Sequence, residues 1–229
     1  MMTTCKSEIQ LVALPLGPKC SQSEWATLLS SLPKEEQEQI SDYRHWQDRQ
    51  RTLLGSVLVR WMLHKFTDVQ HISIRRNLNG RPYISDNVCR KGDFNLSHSG
   101  NWIVAALTHH GRIGVDVEKI GPLNEELLTY ALSETELEMI HQQSPVDQVK
   151  TFYELWTTKE AIYKTGLVPD ATPQSLDTIE WKEKQNNLHT QLLYIDPEHP
   201  VTVCSDQKLP SFELTILNRG QLIENKHIR

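Results

Sequence analysis

Two successive β-strands are predicted by the stretch Trp102-Ile103-Val104-Ala105-Ala106-Leu107-Thr108-His109-His110-Gly111-Arg112-Ile113-Gly114-Val115-Asp116-Val117-Glu118. Its first part is a continuous apolar run, which is typical of a buried strand, and His109-His110-Gly111 is typical of a short turn. In its last part acids alternate with valines, so Asp116 and Glu118 share one face of the strand while the valines pack on the other. The sequence therefore predicts a buried strand that presents two carboxylates side by side.

A third carboxylate, Glu160, lies in the aromatic and apolar stretch 152–164, which predicts a helix. Lys164 follows Glu160 by four residues, so the two side chains share one face of that helix. Such pairs are most often found on solvated helix surfaces, and Asp-x-Glu triplets are common on exposed edge strands. The apolar neighbours Trp156 and Ile162 favour a largely buried helix instead, so we interpret the pair as part of a site.

The three carboxylates favour magnesium as a ligand. Mg²⁺ is a hard ion that binds one or two carboxylates, several waters and the phosphates of a substrate. Asp116 and Glu118 supply oxygen ligands from one strand, and Glu160 is the best candidate for the third ligand. We therefore predict a Mg²⁺ site made of these three residues, with the ammonium of Lys164 beside it.

Polar side chains end the strand-like segment Phe94-Asn95-Leu96-Ser97-His98-Ser99-Gly100. We interpret this segment as the start of a hairpin whose turn carries hydroxyl and imidazole donors. Alternatively, Ser97 and Ser99 satisfy amides of the turn, and His98 is a buried, hydrogen-bonded side chain. A donor-rich turn that precedes an acidic pair fits a phosphate better, because hydroxyls and a protonated imidazole donate hydrogen bonds whereas carboxylates repel anions.

Five blocks of the sequence resemble, in order and spacing, the signature blocks of the Sfp-type 4′-phosphopantetheinyl transferases. They are Arg51-Thr52-Leu53-Leu54-Gly55-Ser56-Val57-Leu58-Val59-Arg60, Asn79-Gly80-Arg81-Pro82-Tyr83-Ile84, Asn95-Leu96-Ser97-His98-Ser99-Gly100, Gly114-Val115-Asp116-Val117-Glu118-Lys119 and Leu155-Trp156-Thr157-Thr158-Lys159-Glu160-Ala161-Ile162-Tyr163-Lys164. The resemblance implies an α+β fold with two similar α/β-type subdomains, related by a pseudo-twofold axis, and an active site at their junction. We expect an N-terminal subdomain, 1–108, to contact the adenosine and 3′-phosphate of coenzyme A, and a C-terminal subdomain, 109–229, to carry the metal site and the catalytic helix.

The resemblance also implies an activity, which is the Mg²⁺-dependent transfer of the 4′-phosphopantetheine arm of coenzyme A to a serine hydroxyl of an apo acyl or peptidyl carrier protein. Adenosine 3′,5′-bisphosphate would be released. Asp116, Glu118 and Glu160 would hold the metal, and Lys164 would neutralise charge on the transferring phosphoryl group. The base that accepts the serine proton would be Glu160 or, through a metal-bound water, Glu118.

By the same resemblance, donors from both halves of the chain would bind coenzyme A. They are Ser97, His98, Arg81, Thr52, Arg51, Arg44 and Lys159. The family often carries two lysines before the block at 51–60, whereas here Lys34 alone lies nearby, and Arg44 is expected to compensate. Arg81 stands where lysine is usual, and its planar fork suits a phosphate. Together with Arg75 and Arg76 it forms a local basic cluster.

Two other functions stay open from the sequence. A Mg²⁺-dependent hydrolase of coenzyme A or another nucleotide pyrophosphate would consume its substrate without a protein acceptor. A non-catalytic binder of coenzyme A or of the carrier would tolerate the loss of Glu160 and Lys164.

Composition narrows the class of protein. The mean hydropathy of −0.48 and the lack of a long apolar run argue against a membrane span, and the N-terminal residues lack the core of a signal peptide. A net charge of −5 without a long basic stripe disfavours nucleic acid as a partner. The four cysteines are widely spaced, so a zinc site or a disulfide framework is not expected. We therefore expect a cytoplasmic monomer with reduced thiols.

The remaining periodicities predict the other elements. Strands are expected at 9–16, 72–75, 94–96, 102–108 and 113–118, and helices at 23–32, 33–50, 51–66, 133–143 and 146–165. Three later strands, at 178–181, 188–195 and 212–217, are expected to build a second sheet. The segment 123–132 is amphipathic, and we expect it to meet a helix of the carrier, with core packing as the alternative.

Overall fold

The computed structural model of the chain describes residues 9–68, 72–77, 80–85, 92–183, 187–210 and 212–224. In chain order its elements are β1 (Ile9–Pro15), α1 (Gln22–Ser30), α2 (Lys34–Asp42), α3 (Trp46–Phe66), β2 (Ile74–Arg76), β3 (Pro82–Ile84), β4 (Asp93–Ser99), β5 (Trp102–Thr108), β6 (Ile113–Val117), α4 (Glu125–Ala131), α5 (Glu134–His141), α6 (Pro145–Lys164), α7 (Thr178–Glu183), β7 (His189–Asp196), β8 (His199–Ser205), β9 (Leu214–Ile216) and α8 (Arg219–Ile223). Helices and strands are mixed as predicted, which confirms the α+β class. None of the described helices is both long and apolar enough to cross a membrane.

The first sheet has the strand order β4-β5-β1-β9. Strands β4, β5 and β1 pair antiparallel, whereas β9 pairs parallel with β1. Helix α3 lies on this sheet, and its apolar residues Leu53, Leu54, Val57 and Leu58 are fully buried against it. This is the apolar face that the helical periodicity at 51–66 predicts, because residues three and four apart lie on one side of a helix.

The second sheet has the order β6-β8-β7 and is antiparallel. Val115 and Val117 of β6 pack with Val201 and Val203 of β8 against the first sheet, so the alternation of valines and acids is confirmed. Helix α6 contacts the two strands β6 and β8. The acidic face of β6 therefore lies on the side of the sheet that α6 covers.

Helix α6 approaches β6 very closely at Gly114. A Cβ atom on Gly114 would lie 2.0 Å from the carbonyl oxygen of Ala161 and 2.9 Å from the amide nitrogen of Thr165. Only glycine permits such an approach of two backbones. The contact holds the last turn of α6, which bears Glu160 and Lys164, against the strand.

Three element predictions are wrong. The stretch 178–181 is not a strand but the start of α7, because Asp177 Oδ1 accepts hydrogen bonds from the amides of Ile179 and Glu180 and so caps a helix. Strand β9, within the predicted strand 212–217, joins the first sheet and not the second. The boundary between the two helices expected at 33–50 and 51–66 lies earlier, since α2 ends at Asp42 and α3 begins at Trp46.

A long-range contact accompanies the last of these differences. Gln50 is buried, and its side chain donates to the carbonyls of Leu16 and Pro18, which fixes this turn of α3 against the loop after β1. Strand β8, which the sequence did not suggest, is the central strand of the second sheet and is buried along its whole length. Pro200 near its start is unusual for a central strand, since proline has no amide hydrogen to donate.

Candidate active site

The polar segment at the end of β4 is part of the strand and not of a turn. Ser97, His98 and Ser99 are its last residues, and the turn that follows is formed by Gly100 and Asn101. The hairpin itself is confirmed, because β4 pairs antiparallel with β5 in register. The predicted position of the turn is wrong by three residues, since the side chains of a strand, unlike those of a turn, alternate between two faces.

This alternation divides the polar residues between two faces of β4. Ser97 and Ser99 point towards β6, where each donates a hydrogen bond to an acid. His98 points the other way, towards a cavity that it lines together with Phe94 and Leu96. The structure therefore separates the hydroxyls from the imidazole, although they are neighbours in the sequence.

Asp116 is the most buried acid of the predicted site, with 2% of its side chain exposed. Its Oδ1 accepts hydrogen bonds from Lys164 Nζ at 2.5 Å and from Ser97 Oγ at 2.7 Å. Burial raises the pKa of Asp116, and the charge of Lys164 opposes that shift. Its Oδ2 is buried and has no hydrogen-bond partner among the described residues, so one lone-pair acceptor of this carboxylate is left for a ligand.

Glu118 and Glu160 belong to the same charge cluster. Ser99 Oγ donates to Glu118 Oε2 at 2.7 Å. Burial raises the pKa of Glu118, and the negative charge of Asp116 raises it further. Burial also raises the pKa of Glu160, Lys164 opposes the shift, and the charges of Asp116 and Glu118 add to it. The charge of Asp116 thus makes both glutamates harder to ionise, so a cation placed beside the three acids would stabilise their charged forms.

The fit of this cluster to a metal ion is partial. Within the described ranges, no group of three histidine, cysteine, aspartate or glutamate side chains is close enough together to hold a metal ion directly. Lys164 supplies the positive charge at Asp116 Oδ1 instead. The candidate ligands are nonetheless all oxygens, and the buried Oδ2 of Asp116 has no partner in the described ranges, as expected for a ligand of a hard divalent cation. A Mg²⁺ ion therefore fits the chemistry of the cluster and stays a proposal.

A cavity of about 1120 Å³ lies on the other face of β4. Thr52 of α3 and His98 of β4 line it, together with Arg75 and Arg76 of β2 and with Tyr43, which lies between α2 and α3. Acids of α2 form part of its wall, but one of them, Glu36, is already paired with Arg60. The cavity thus combines a basic strand, an imidazole and a hydroxyl, which suits a ligand that carries phosphate.

The chain is similar to known proteins of one family over most of its length. Residues 18–110 match the family model described as "4'-phosphopantetheinyl transferase, N-terminal", and residues 112–216 match the one described as "4'-phosphopantetheinyl transferase superfamily". The chain is 32% identical over 203 residues to the 4′-phosphopantetheinyl transferase gsp of Aneurinibacillus migulanus. The aligned region covers 88% of this chain and 82% of the relative. The chain belongs to the 4′-phosphopantetheinyl transferase superfamily.

Other relatives extend over a similar share of this transferase. It is 29% identical over 217 residues to the 4′-phosphopantetheinyl transferase Sfp of Bacillus subtilis (strain 168), across 89% of this chain and 95% of the relative. It is 27% identical over 215 residues to the 4′-phosphopantetheinyl transferase psf-1 of Bacillus pumilus, across 89% of this chain and 91% of the relative. The predicted Sfp-type family and the predicted enzyme class are therefore confirmed. The division into subdomains 1–108 and 109–229 stays a prediction.

Four of the predicted site residues of this transferase lie in one cluster. They are Asp116, Glu118, Glu160 and Lys164. Ser97 joins them through its bonds with Asp116 and Lys164, whereas Thr52 and His98 line the cavity. The structure thus forms two groups from the predicted residues, one acidic and one facing the cavity.

The other predicted coenzyme contacts have different surroundings. Arg51 donates to the carbonyl of Gly100 and pairs with Asp48, so it holds the β4–β5 turn. Arg81 is nearly buried and pairs with Asp93 at the opposite end of β4. Arg44 is exposed in the link between α2 and α3. The structure brings none of the three into the acidic cluster.

The assignment of Lys159 to coenzyme A needs correction. Its ammonium is buried, pairs with Glu136 of α5 and donates to the carbonyls of Ala131 and Pro173. Three acceptors thus saturate its three donors, which leaves none for a ligand. Adjacent residues of a helix point about 100° apart, so the side chain of Lys159 lies away from the face of α6 that carries Glu160.

Ser99 is absent from the site contacts that the resemblance implies, but the structure places it beside the acidic cluster. It donates to Glu118 in the same way as Ser97 donates to Asp116. A signal for it exists in the sequence, since the spacing Ser-x-Ser at 97 and 99 equals the spacing Asp-x-Glu at 116 and 118. Two strands that lie side by side place such matched pairs opposite each other.

Proposed function

We propose that the chain transfers the 4′-phosphopantetheine arm of coenzyme A to a serine hydroxyl of an apo acyl or peptidyl carrier protein. The reaction would depend on Mg²⁺ and release adenosine 3′,5′-bisphosphate. The observation that carries the proposal is the buried Oδ2 of Asp116, which has no hydrogen-bond partner among the residues that the structure describes and lies beside the Lys164 ammonium. A divalent cation and an ammonium side by side stabilise the negative charge that develops when a pyrophosphate is cleaved.

The proposed chemistry assigns a role to each residue of the acidic cluster. Asp116, Glu118 and Glu160 would hold Mg²⁺, which when bound would supply a Lewis acid for the pyrophosphate oxygens. Lys164, whose Nζ lies 3.1 Å from Ser97 Oγ and bonds Asp116, would neutralise charge on the phosphoryl group. Ser97 and Ser99 orient the carboxylates that they contact.

Glu160 is the proposed base, because it lies in the acidic cluster and shares a face of α6 with Lys164. The carrier serine oxygen forms a bond to the phosphorus that bears the pantetheine arm, and its proton passes to Glu160. The bond between that phosphorus and the bridging oxygen breaks. The electron pair leaves with the adenosine bisphosphate.

Coenzyme A would occupy the cavity with its nucleotide end. His98 and Thr52 line it, and Arg75 and Arg76 add two cations for the 3′-phosphate. Arg75 and Arg76 line the cavity, whereas one nitrogen of the Arg81 guanidinium is bonded to Asp93 and to the carbonyl of Ile113. The monomeric state and the cytoplasmic location that the sequence suggests stay predictions.

His98→Gln tests the phosphate contact. Loss of a charge-assisted hydrogen bond should raise KM for coenzyme A about tenfold or more and leave KM for dephospho-coenzyme A unchanged. Burial lowers the pKa of His98, and the charges of Arg51 and Lys164 lower it further, so the imidazole becomes protonated only at a lower pH than an ordinary histidine. The wild-type preference for coenzyme A over its dephospho form should therefore increase as the pH falls through this lowered range.

The exposed His110, changed to Gln, provides the control and should change neither the KM values nor their pH dependence. Equal KM values of the wild type for coenzyme A and dephospho-coenzyme A at every pH would contradict the role of His98.

A carrier surface is proposed at α4. Tyr130 is 57% exposed there, and its ring lies 6.2 Å from that of Trp156 on α6, the helix that carries Glu160. By contrast, Leu128 and Ala131 of the same helix are buried, so core packing accounts for them. Exposed aromatic rings next to a catalytic helix are typical anchors for a partner helix.

Tyr130→Glu should raise KM for the carrier by about tenfold and leave KM for coenzyme A unchanged, because it places a charge in an apolar contact. Val146→Glu is the matched control, since Val146 is an exposed apolar residue, 80% accessible, at the start of α6. If both variants have the carrier KM of the wild type, the surface lies elsewhere.

The proposed function is tested by the intact mass of an apo carrier protein incubated with the chain, coenzyme A and Mg²⁺. We expect a gain of about 340 Da, the mass of the phosphopantetheinyl arm, which EDTA abolishes. Cleavage of coenzyme A without modification of any carrier would indicate the hydrolase instead. Binding of coenzyme A without either reaction would indicate the non-catalytic binder.

A further inference from the structure

The two sheets meet at edge strands that do not pair with each other. β4 is an edge of the first sheet and β6 an edge of the second. An edge strand leaves alternate backbone amides without a ladder partner, and buried amides of this kind need an acceptor. The structure supplies those acceptors from side chains of β4.

The odd-numbered side chains of β4 form a regular series of contacts along β6. Asp93 Oδ2 accepts from the amide of Ile113 at 2.9 Å, and Asn95 Oδ1 accepts from the amide of Val115 at 3.0 Å. Further along, Ser99 Oγ accepts from the amide of Lys119 at 3.0 Å. Each contact joins residues 20 apart in the sequence, so the series fixes one register between the two strands.

This register decides which hydroxyl meets which acid. Ser97 bonds Asp116 and Ser99 bonds Glu118 within the same series. A shift of β6 along β4 would separate both pairs, since successive same-face residues of a strand are about 7 Å apart. The placement of the acids of the site therefore depends on what fixes the register.

We infer that Asn95 is a positioning residue which fixes the register of β6 and thereby aligns Asp116 and Glu118 for the proposed reaction. Asn95 is buried, with 3% exposure, and bonds the amide of Val115 in the middle of the series. Within the described part of the chain, Asn95 has neither a hydrogen bond to an acid of the site, as Ser97 and Ser99 have, nor an arginine partner, as Asp93 has. Its substitution therefore tests the register separately from the chemistry of the cluster.

Two substitutions at this position separate the effect of losing the hydrogen-bond acceptor from the effect of changing the side-chain volume. Asn95→Leu keeps a side chain of similar size but removes the acceptor, whereas Asn95→Asp keeps an acceptor oxygen. We expect kcat of N95L to fall about 100-fold, because misplacement of reacting groups by about 1 Å has effects of this size. N95D should recover most of that loss. The carrier KM should stay within about twofold of the wild-type value in both variants.

Gln50→Leu is the matched control. Gln50 is as buried as Asn95 and also bonds backbone groups, but it lies in the first half, away from the seam between β4 and β6. Q50L should lower the thermal midpoint by as much as N95L does and keep the wild-type kcat. Asn95→Ala, which also lacks the acceptor, replaces N95L in every comparison if N95L does not fold.

A second readout is independent of activity. Hydrogen exchange of the Val115 amide, followed by NMR, should be much faster in N95L than in wild type, N95D and Q50L, because its acceptor is lost. Slow exchange of this amide in N95L, a wild-type kcat in N95L, or a kcat of N95D as low as that of N95L would each overturn the inference.

The inference rests on the proposed function, and the two fail in different ways. A wild-type protein that modifies no carrier under any condition refutes the function, and the Val115 exchange rates then still decide whether Asn95 holds the register. A wild-type protein that is active, with N95L equally active, refutes the role of Asn95 alone.

Discussion

Asp116→Asn is expected to lower the turnover of carrier modification by about 100-fold to 1,000-fold. Asparagine keeps the shape and the acceptor for Ser97 but loses the charge that pairs with Lys164 and that the proposed Mg²⁺ requires. Charge stabilisation by a metal contributes several kcal/mol to a transition state, and each 1.36 kcal/mol corresponds to a factor of about ten in rate. The measurement is kcat at saturating coenzyme A, carrier and Mg²⁺.

The thermal stability of the same variant should increase or stay unchanged. Burial raises the pKa of Asp116, which means that the fold disfavours its charged form. Removal of that charge therefore does not lower the thermal midpoint. Asp196→Asn is the control, because Asp196 also accepts side-chain hydrogen bonds, from Trp102 and His199, but lies outside the acidic cluster. A near-normal kcat of the Asp116 variant would remove this residue from the site.

Lys159→Met should destabilise the fold by about 3–5 kcal/mol, since it leaves the carboxylate of Glu136 buried without its ion-pair partner. The side chains of Lys159 and Glu136 are 2% and 0% exposed, so water cannot replace the ammonium. The free energy of unfolding in urea gives the size of the effect. At a temperature at which the variant is folded, its KM for coenzyme A should equal that of the wild type.

Lys150→Met on the same helix is the matched control. Lys150 forms a looser pair with Glu154, at 3.9 Å, and its side chain is 59% exposed. Exposed pairs of this kind contribute at most about 1 kcal/mol, so the control should unfold at nearly the wild-type urea concentration. A Lys159 variant that is as stable as wild type but binds coenzyme A weakly would restore the role that the sequence suggested for this residue.

Local periodicity predicted the parts of the fold that depend on neighbouring residues. The alternation at 115–118 placed the valines in the core and the acids in the site, and the helix predicted at 133–143 is found as α5, which starts with a capping box of Ser133 and Glu136. Such signals act within one turn or one strand, and a single sequence contains them in full.

The predictions that failed depend on contacts between distant residues. β9 is a strand of the first sheet because β1 is its neighbour, and no local pattern of Leu214–Ile216 specifies that neighbour. Lys159 lay beside Glu160 in the motif, yet its surroundings are set by Glu136 and by the carbonyl of Pro173. A pattern shows which residue types are close in sequence, whereas the environment of a side chain depends on the packing of several elements.

The parallel pairing of β9 with β1 joins an early and a late segment of the chain in one sheet. β1 is among the first described residues to leave the ribosome, and β9 is among the last. Until it arrives, one edge of β1 is unpaired, and the nascent chain carries an open template for strand addition. The first sheet, in which Leu11 lies opposite Leu214, is therefore complete only after residues 214–216 have been synthesised. A chain released before residue 214 would expose that edge to any other extended segment in the cell.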